Sequence, residues 1–265
     1  MGAGTVEVAG GKRTERKGIS GSTLKMVAII AMALDHVGAV VLARVLLKGG
    51  NGLVGLTQVD MGVFRIYFAL RLIGRLGFPI FCYLLIEGFQ HTRNVKRYAA
   101  RLFLFALASE IPFDLGFSGD LFYLGYQNVF FTLLIGLLVI AGFRYAQGKQ
   151  WNQALRIIFC LGVLSTGALT AMYLRTDYGA VGVITIAVMY LCRKNKMLEA
   201  GVGCAALTVM QFIEVTSFFI LIPIKMYNGK RGWNMKWFFY AFYPVHIFLL
   251  YLVACAMGLG QVKLM

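Results

Sequence analysis

The sequence predicts an all-α membrane protein, a single polytopic bundle of about eight or nine transmembrane segments. Three observations carry that prediction. The chain of 265 residues is 59% hydrophobic and 14% charged, with a mean hydropathy of +0.74, whereas a soluble domain is about 45–50% apolar and about 25% charged. Its apolar residues fall in long runs with few charges. Its Lys and Arg residues collect in short stretches between those runs, where they set topology. Together these exclude a soluble enzyme, a disordered chain and a secreted disulfide scaffold.

The elements follow in order. Residues 1–23 are rich in Gly, Ser, Thr, Lys and Arg and read as a flexible basic cytoplasmic tail, and residues 24–265 as one helical transmembrane domain. The first span, 24–46, is too long for a signal peptide and no small-residue cleavage site stands out after it. The second covers 69–90, with an interfacial turn from Met61 ahead of it. The third, fourth, fifth and sixth cover 99–117, 127–143, 157–174 and 178–192, and the last covers 237–257.

Basic residues test this order. Lys12, Arg13, Arg16, Lys17 and Lys25 place the N-terminus in the cytoplasm. Arg93, Lys96, Arg97 and Arg101 follow span two, Arg144, Lys149 and Arg156 follow span four, and Arg193, Lys194 and Lys196 follow span six. The opposite loops carry few, with none between Ser118 and Tyr126 and only Arg175 before span six. Residues 197–224 would make one long span, yet Lys225, Lys230, Arg231 and Lys236 follow and belong on the cytoplasmic side. An even number of passages is needed, so a short re-entrant pair turning near Gln211 to Thr216 is expected. That makes nine segments, or eight if the stretch crosses once.

The net charge of +15 belongs to those loops rather than to a separate basic patch, so no nucleic-acid partner is expected. The five cysteines all lie in apolar stretches without paired spacing, and no metal is expected. No internal repeat is visible, which weakens a transporter reading.

Polar residues inside the spans carry the functional argument, because each costs a few kcal/mol near the bilayer centre unless paired or hydrated. Asp35, Glu87, Glu110, Asp114 and Glu214 lie inside or at the ends of apolar runs, as do His36 and His246. His36 lies about 16 Å along a helix from Lys25, near mid-membrane, and an imidazole is well suited to general-base work. Adjacent helical residues diverge by about 100°, so Asp35 is expected to pair with a cation on another helix: Arg71, Arg75 or Arg101. His246 reaches similar depth, beside Tyr243 and Pro244; Pro244 frees the carbonyl of Tyr240 as a partner. Arg71 and Arg75 share a helix face and could hold a carboxylate, a thioester oxygen or a phosphate. Glu110 and Asp114 around Pro112, with Gln127 and Asn128, could line an outward-facing cavity, or simply cap and bridge helices. His91 reads as interfacial.

Several segments together resemble the TraX family: 24–36 (LKMVAIIAMALDH), 74–81 (GRLGFPIF) running into Glu87 and Gly88, Arg101 leading to 109–114 (SEIPFD), 127–132 (QNVFFT), 177–179 (DYG), 227–231 (YNGKR) and 242–246 (FYPVH). The similarity keeps one order from Leu24 to about Leu252. TraX is in turn similar to the acyltransferase family-three membrane enzymes, whose embedded histidine and Arg-x-x-x-Pro segment would correspond to His36 and to Arg75 with Pro79. The founding TraX protein acetylates the N-terminal amine of a pilin. The resemblance therefore implies a membrane acyltransferase that uses acetyl-CoA as donor, with a surface or exported acceptor that could be a pilin-like peptide, a glycan or a lipid.

On that reading His36 is the base, Asp35 and Arg75 complete the catalytic set, and Arg75 steadies the oxyanion. Substrate contacts are assigned to Arg71, Glu87, Arg101, Glu110, Asp114, Gln127, Asn128, Tyr243 and His246. A proton-coupled transporter and a non-catalytic assembly factor for surface polymers are the alternatives the same buried groups leave open.

Overall fold

The computed structural model describes residues 18–49 and 60–264, and among these there is no strand. The basic positions up to Lys17 assigned to the tail lie outside the described residues.

Capping residues decide where most helices begin. Ser20 accepts from the Thr23 amide and starts α1 (Gly21–His36), which passes through a π-helical turn at Val37–Leu42 into α2 (Ala43–Gly49). The ordered domain thus starts before residue 24, because Ile19, Gly21 and Ser22 donate backbone hydrogen bonds to Met226, Lys230 and Arg231. Asp60 caps α3 (Met61–Gly74), and α4 (Gly77–His91) follows directly. The predicted turn at Met61 is therefore a full helix of 14 residues. Its exposed side is apolar, and with α4 it forms a stretch of 31 residues. Pro79 falls in the first turn of α4, where its missing N–H has no helical partner to lose.

Asparagines cap the next helices. Asn94 starts α5 (Val95–Phe117), Asn128 starts α6 (Val129–Gln147), Asn152 starts α7 (Gln153–Tyr173) and Asn195 starts α9 (Lys196–Met210). Between the last two, α8 (Gly179–Cys192) begins at Tyr178, which holds a positive φ of 63°. After α9 the chain turns at Gln211 into a 3-10 helix (Phe212–Ile220), then α10 (Leu221–Met226) and finally α11 (Lys236–Ala256).

The stretches Gly21–Lys48, Met61–His91, Val129–Gln147, Gln153–Tyr173 and Lys236–Ala256 are long and apolar enough to cross a membrane. The shorter α8 is apolar too, and α5 is long but carries Lys96, Arg97, Arg101, Glu110 and Asp114. Residues 197–224 form a helical hairpin that turns at Gln211 rather than one long helix. The Lys196 ammonium donates to the carbonyls of Lys225 and Tyr227, both at 2.9 Å, so the hairpin starts and finishes at one end of the bundle. That end also carries Lys25, Arg93, Arg97, Lys149 and Arg193, and is the basic end. Ile80, Ile86, Phe89, Leu137, Ile140, Ile186 and Tyr190 fill the centre, whereas the outward side chains of α7, such as Ile158 and Leu169, are exposed and apolar. This is a helical bundle with a lipid-compatible exterior.

Candidate functional site

His36 ends α1 where the π turn begins, and such turns collect at functional positions. Its Nδ1 lies 2.6 Å from Nε2 of His246 on α11, and the two rings stack with centroids 4.9 Å apart. The Nδ1 of His246 in turn lies 2.7 Å from the carbonyl oxygen of Phe242. The partner is thus Phe242, one turn back from the histidine, rather than Tyr240, one turn back from Pro244. A carbonyl can only accept, so His246 in its neutral form carries its proton on Nδ1 and leaves Nε2 bare. That bare nitrogen accepts from Nδ1 of His36, which leaves the lone pair of the neutral His36 ring on its own Nε2. One fixed carbonyl, through one histidine, sets the tautomer of the other.

Asp35 points away from its neighbour and meets α3, with Arg71 Nη1 at 2.6 Å and Arg75 Nη2 at 3.3 Å. Arg75 also donates from Nη1 to Glu214 at 2.8 Å and from Nε to the Arg71 carbonyl at 3.1 Å. A chain of alternating charges therefore links α1, α3 and the tip of the re-entrant hairpin. Glu214 is 2% exposed, and a charge so buried is tolerable only when paired. Gly74 is the residue that lets Asp35 close on α3, because a Cβ there would overlap the Asp35 carboxylate.

Arg101 does not reach Asp35; it lies 5.5 Å from the Tyr98 ring. Glu110 accepts from the amide and side-chain nitrogens of Asn128, and Asp114 accepts from the Tyr123 amide at 2.8 Å. Gln127 pairs by its backbone with Arg175 and Asp177, and its side chain donates to Leu124. These four residues hold the connection from α5 to α6, and Asn128 caps α6, which is the bridging and capping role that the sequence left open. Glu87 accepts from the Tyr227 hydroxyl at 3.0 Å and meets His91 at 3.4 Å. Burial and the Glu87 carboxylate raise the Tyr227 phenol above its ordinary range.

Three groups, Arg44 buried and Asp177 and Tyr178 half-buried, were given no site or structural role by the sequence reading. Asp177 accepts from the Tyr126 hydroxyl at 2.9 Å, and its own carbonyl accepts from Thr132. Tyr178 stacks on Phe78 with centroids 3.7 Å apart. Arg44, fully buried, donates to the carbonyls of Val40, Leu115, Gly116 and Val262. Arg44 interrupts an apolar run, the only signal that marked it, whereas Asp177 and Tyr178 were marked only by the resemblance at 177–179.

Two cavities share part of their lining, and His36 lines the smaller. The larger, about 580 Å³, is lined at the basic end by Lys25, His91, Arg101, Arg231 and Lys236 and farther in by Phe81, Leu84, Leu133 and Tyr243. The smaller, about 50 Å³, is lined by Asp35, His36, Gly74, Phe78, Asp177 and Tyr178. Met32, Phe81, Val129 and Tyr243 line both. Lys25, Arg101, Arg231 and Lys236 have no carboxylate partner among the described residues. Of the residues assigned to the site, Asp35, His36, Glu87, Arg101 and Tyr243 line these spaces, while Arg71, Arg75 and His246 stand behind them.

The TraX protein family matches residues 20–254. The chain belongs to the TraX family. A probable fimbrial assembly protein FimC, serogroup H1, of Dichelobacter nodosus is 32% identical over 253 residues, covering 86% of this chain and 92% of that protein. No solved structure matches. In this TraX-family protein most segments of the resemblance border the two cavities. The Asp35–His36 pair, 74–81, 177–179 and 242–246 surround the small cavity or hold its walls, and 227–231 borders the large cavity at its basic end. With its apolar spans, the TraX-family chain is a multi-pass membrane protein.

Proposed function

We propose that this protein is an integral membrane acyltransferase that moves an acetyl group from acetyl-CoA to an amine or hydroxyl of a surface or exported acceptor. A fimbrial or pilin-type subunit is the acceptor the relative's name favours. The basic end faces the cytoplasm by the positive-inside rule, which puts the N-terminus there and the bundle in the cytoplasmic membrane.

The observation that carries the reading is that the basic cavity and the chamber at His36 share a wall, formed by Met32, Phe81, Val129 and Tyr243. A donor with phosphates at one end and a thioester at the other matches that arrangement. Lys25, Arg101, Arg231 and Lys236, without a carboxylate partner among the described residues, offer cations to the phosphates. The apolar stretch past Leu84 and Leu133 accepts the connecting arm, and the thioester reaches the neck. There His36 Nε2 takes the proton of the attacking amine or hydroxyl. His246 and the Phe242 carbonyl hold that nitrogen unprotonated, in the manner of a base oriented by a second group. The carboxylates a proton relay would use are instead clamped, Asp35 by two arginines and Glu214 by one.

The test is acetyl transfer by the purified full chain in lipid nanodiscs, with isotopically labelled acetyl-CoA and a solubilised membrane fraction as acceptor. Label should appear in peptide, glycan or lipid, as mass spectrometry would resolve. Failure both to bind acetyl-CoA and to label anything would overturn the reading.

A further inference from the structure

The mechanism leaves open what steadies the negative charge on the thioester oxygen. Arg75 is the residue that the resemblance offers, but its guanidinium is engaged by Glu214, by Asp35 and by the Arg71 carbonyl. It also lines neither cavity. Tyr243 has the opposite situation. Its side chain is 3% exposed, lines both cavities at their neck, and its hydroxyl finds no acceptor among the described residues. Buried phenols ordinarily satisfy that proton, so a buried donor without an acceptor, on a residue that lines both cavities, is a group available to one.

The ring is also fixed. Phe130 meets it edge-on with centroids 5.2 Å apart, and the His36 and His246 rings each lie 5.8 Å away. The residue is therefore held beside the neck that the donor arm must pass to reach His36. We propose that Tyr243 is the oxyanion donor, hydrogen-bonding the thioester oxygen as it becomes negative; this rests on the acyltransferase reading. The acceptor's nucleophilic atom forms a bond to the carbonyl carbon, and the π electrons move to the oxygen that Tyr243 holds. His36 Nε2 takes the acceptor's proton. The oxygen electrons then return, the carbon–sulfur bond breaks, and the departing thiolate takes the proton from His36 to leave as CoA thiol. A phenol keeps its proton throughout, so the donor is restored unchanged.

The experiment compares the purified full chain with Tyr243→Phe, using labelled acetyl-CoA and the same membrane fraction. Loss of one oxyanion donor lowers kcat by about 10²–10³-fold. The KM for acetyl-CoA should stay within about twofold and the melting temperature unchanged, because the phenyl ring preserves the packing. If the variant fails to fold, 3-fluorotyrosine at position 243 carries the test. A stronger donor keeps or raises the rate, and a tenfold fall overturns the proposal. An active parent with Tyr243→Phe at the parent rate overturns the proposal and leaves the acyltransferase reading standing. An inactive parent overturns both.

Discussion

His36 and His246, 210 positions apart in sequence, share one short hydrogen bond of 2.6 Å, and only one of the two, His36, lines the small cavity. The relationship is asymmetric, because His246 also holds the Phe242 carbonyl and cannot leave that position without losing it.

That asymmetry predicts unequal losses. His36→Ala should lower acetyl transfer by about 10²–10⁴-fold, the usual contribution of a positioned base. His246→Ala should cost less, about one to two orders, since the base survives and only its tautomer bias is lost. Single-turnover rates with purified proteins check both. A His36→Ala variant working at the parent rate would make the histidine a packing residue.

Arg75 should be the more costly half of its pair. Removing it strands Glu214 and weakens the hold on Asp35, and breaking a buried pair from one side costs about 3–5 kcal/mol. Glu214→Gln should cost less, because the amide oxygen still accepts from Arg75 and Asp35 still balances its charge. Thermal unfolding in detergent should rank the variants in that order. Equal melting temperatures would show that the pair is not coupled to the fold.

The hairpin fixes a topology that labelling can test. Lys196 binds the carbonyls of Lys225 and Tyr227, so cysteines placed at Asn195 and Asn228 should react with an impermeant reagent from the same side. That side should be the cytoplasm. Reaction of the Asn228 position from outside alone would contradict the arrangement.

Arg44→Met should loosen the far end of the bundle. The substitution leaves carbonyls of Val40, Gly116 and Val262 without their shared donor, and stranded buried carbonyls cost about 1–3 kcal/mol each. Limited proteolysis should cut within residues 258–264 far faster than in the parent, while acetyl-CoA binding at the opposite end is kept.

What the sequence revealed and what it hid have separate physical causes. The hairpin was legible because Lys225 to Lys236 could not be reconciled with a single crossing. The pairing of Asp35 was legible because a lone carboxylate at that depth is too costly, although its choice of Arg71 and Arg75 over Arg101 needed the register of α3 against α1. For Glu110 and Asp114 the choice between lining a cavity and bridging helices stayed open, because the connection they pin, 118–128, has no periodicity that reveals where its amides point. Arg44 was hidden for a different reason: a long side chain near the end of a span normally reaches outward, and here it turns inward to four carbonyls. The meeting of the two histidines depended on helix packing across the whole chain, though both depths could be counted from the nearest lysine.

The ion pair between Arg75 and Glu214 also orders the assembly of the protein. As the chain emerges, α3 reaches the bilayer with Arg75 supported only by Asp35, while the segment bearing Glu214 is still to be made. The hairpin cannot carry its carboxylate into lipid alone, so its docking must wait for a groove already holding the guanidinium. Because it starts and finishes on one side, that docking moves no loop across the bilayer. The hairpin is a plug set last, closing a bundle whose earlier helices have already been threaded.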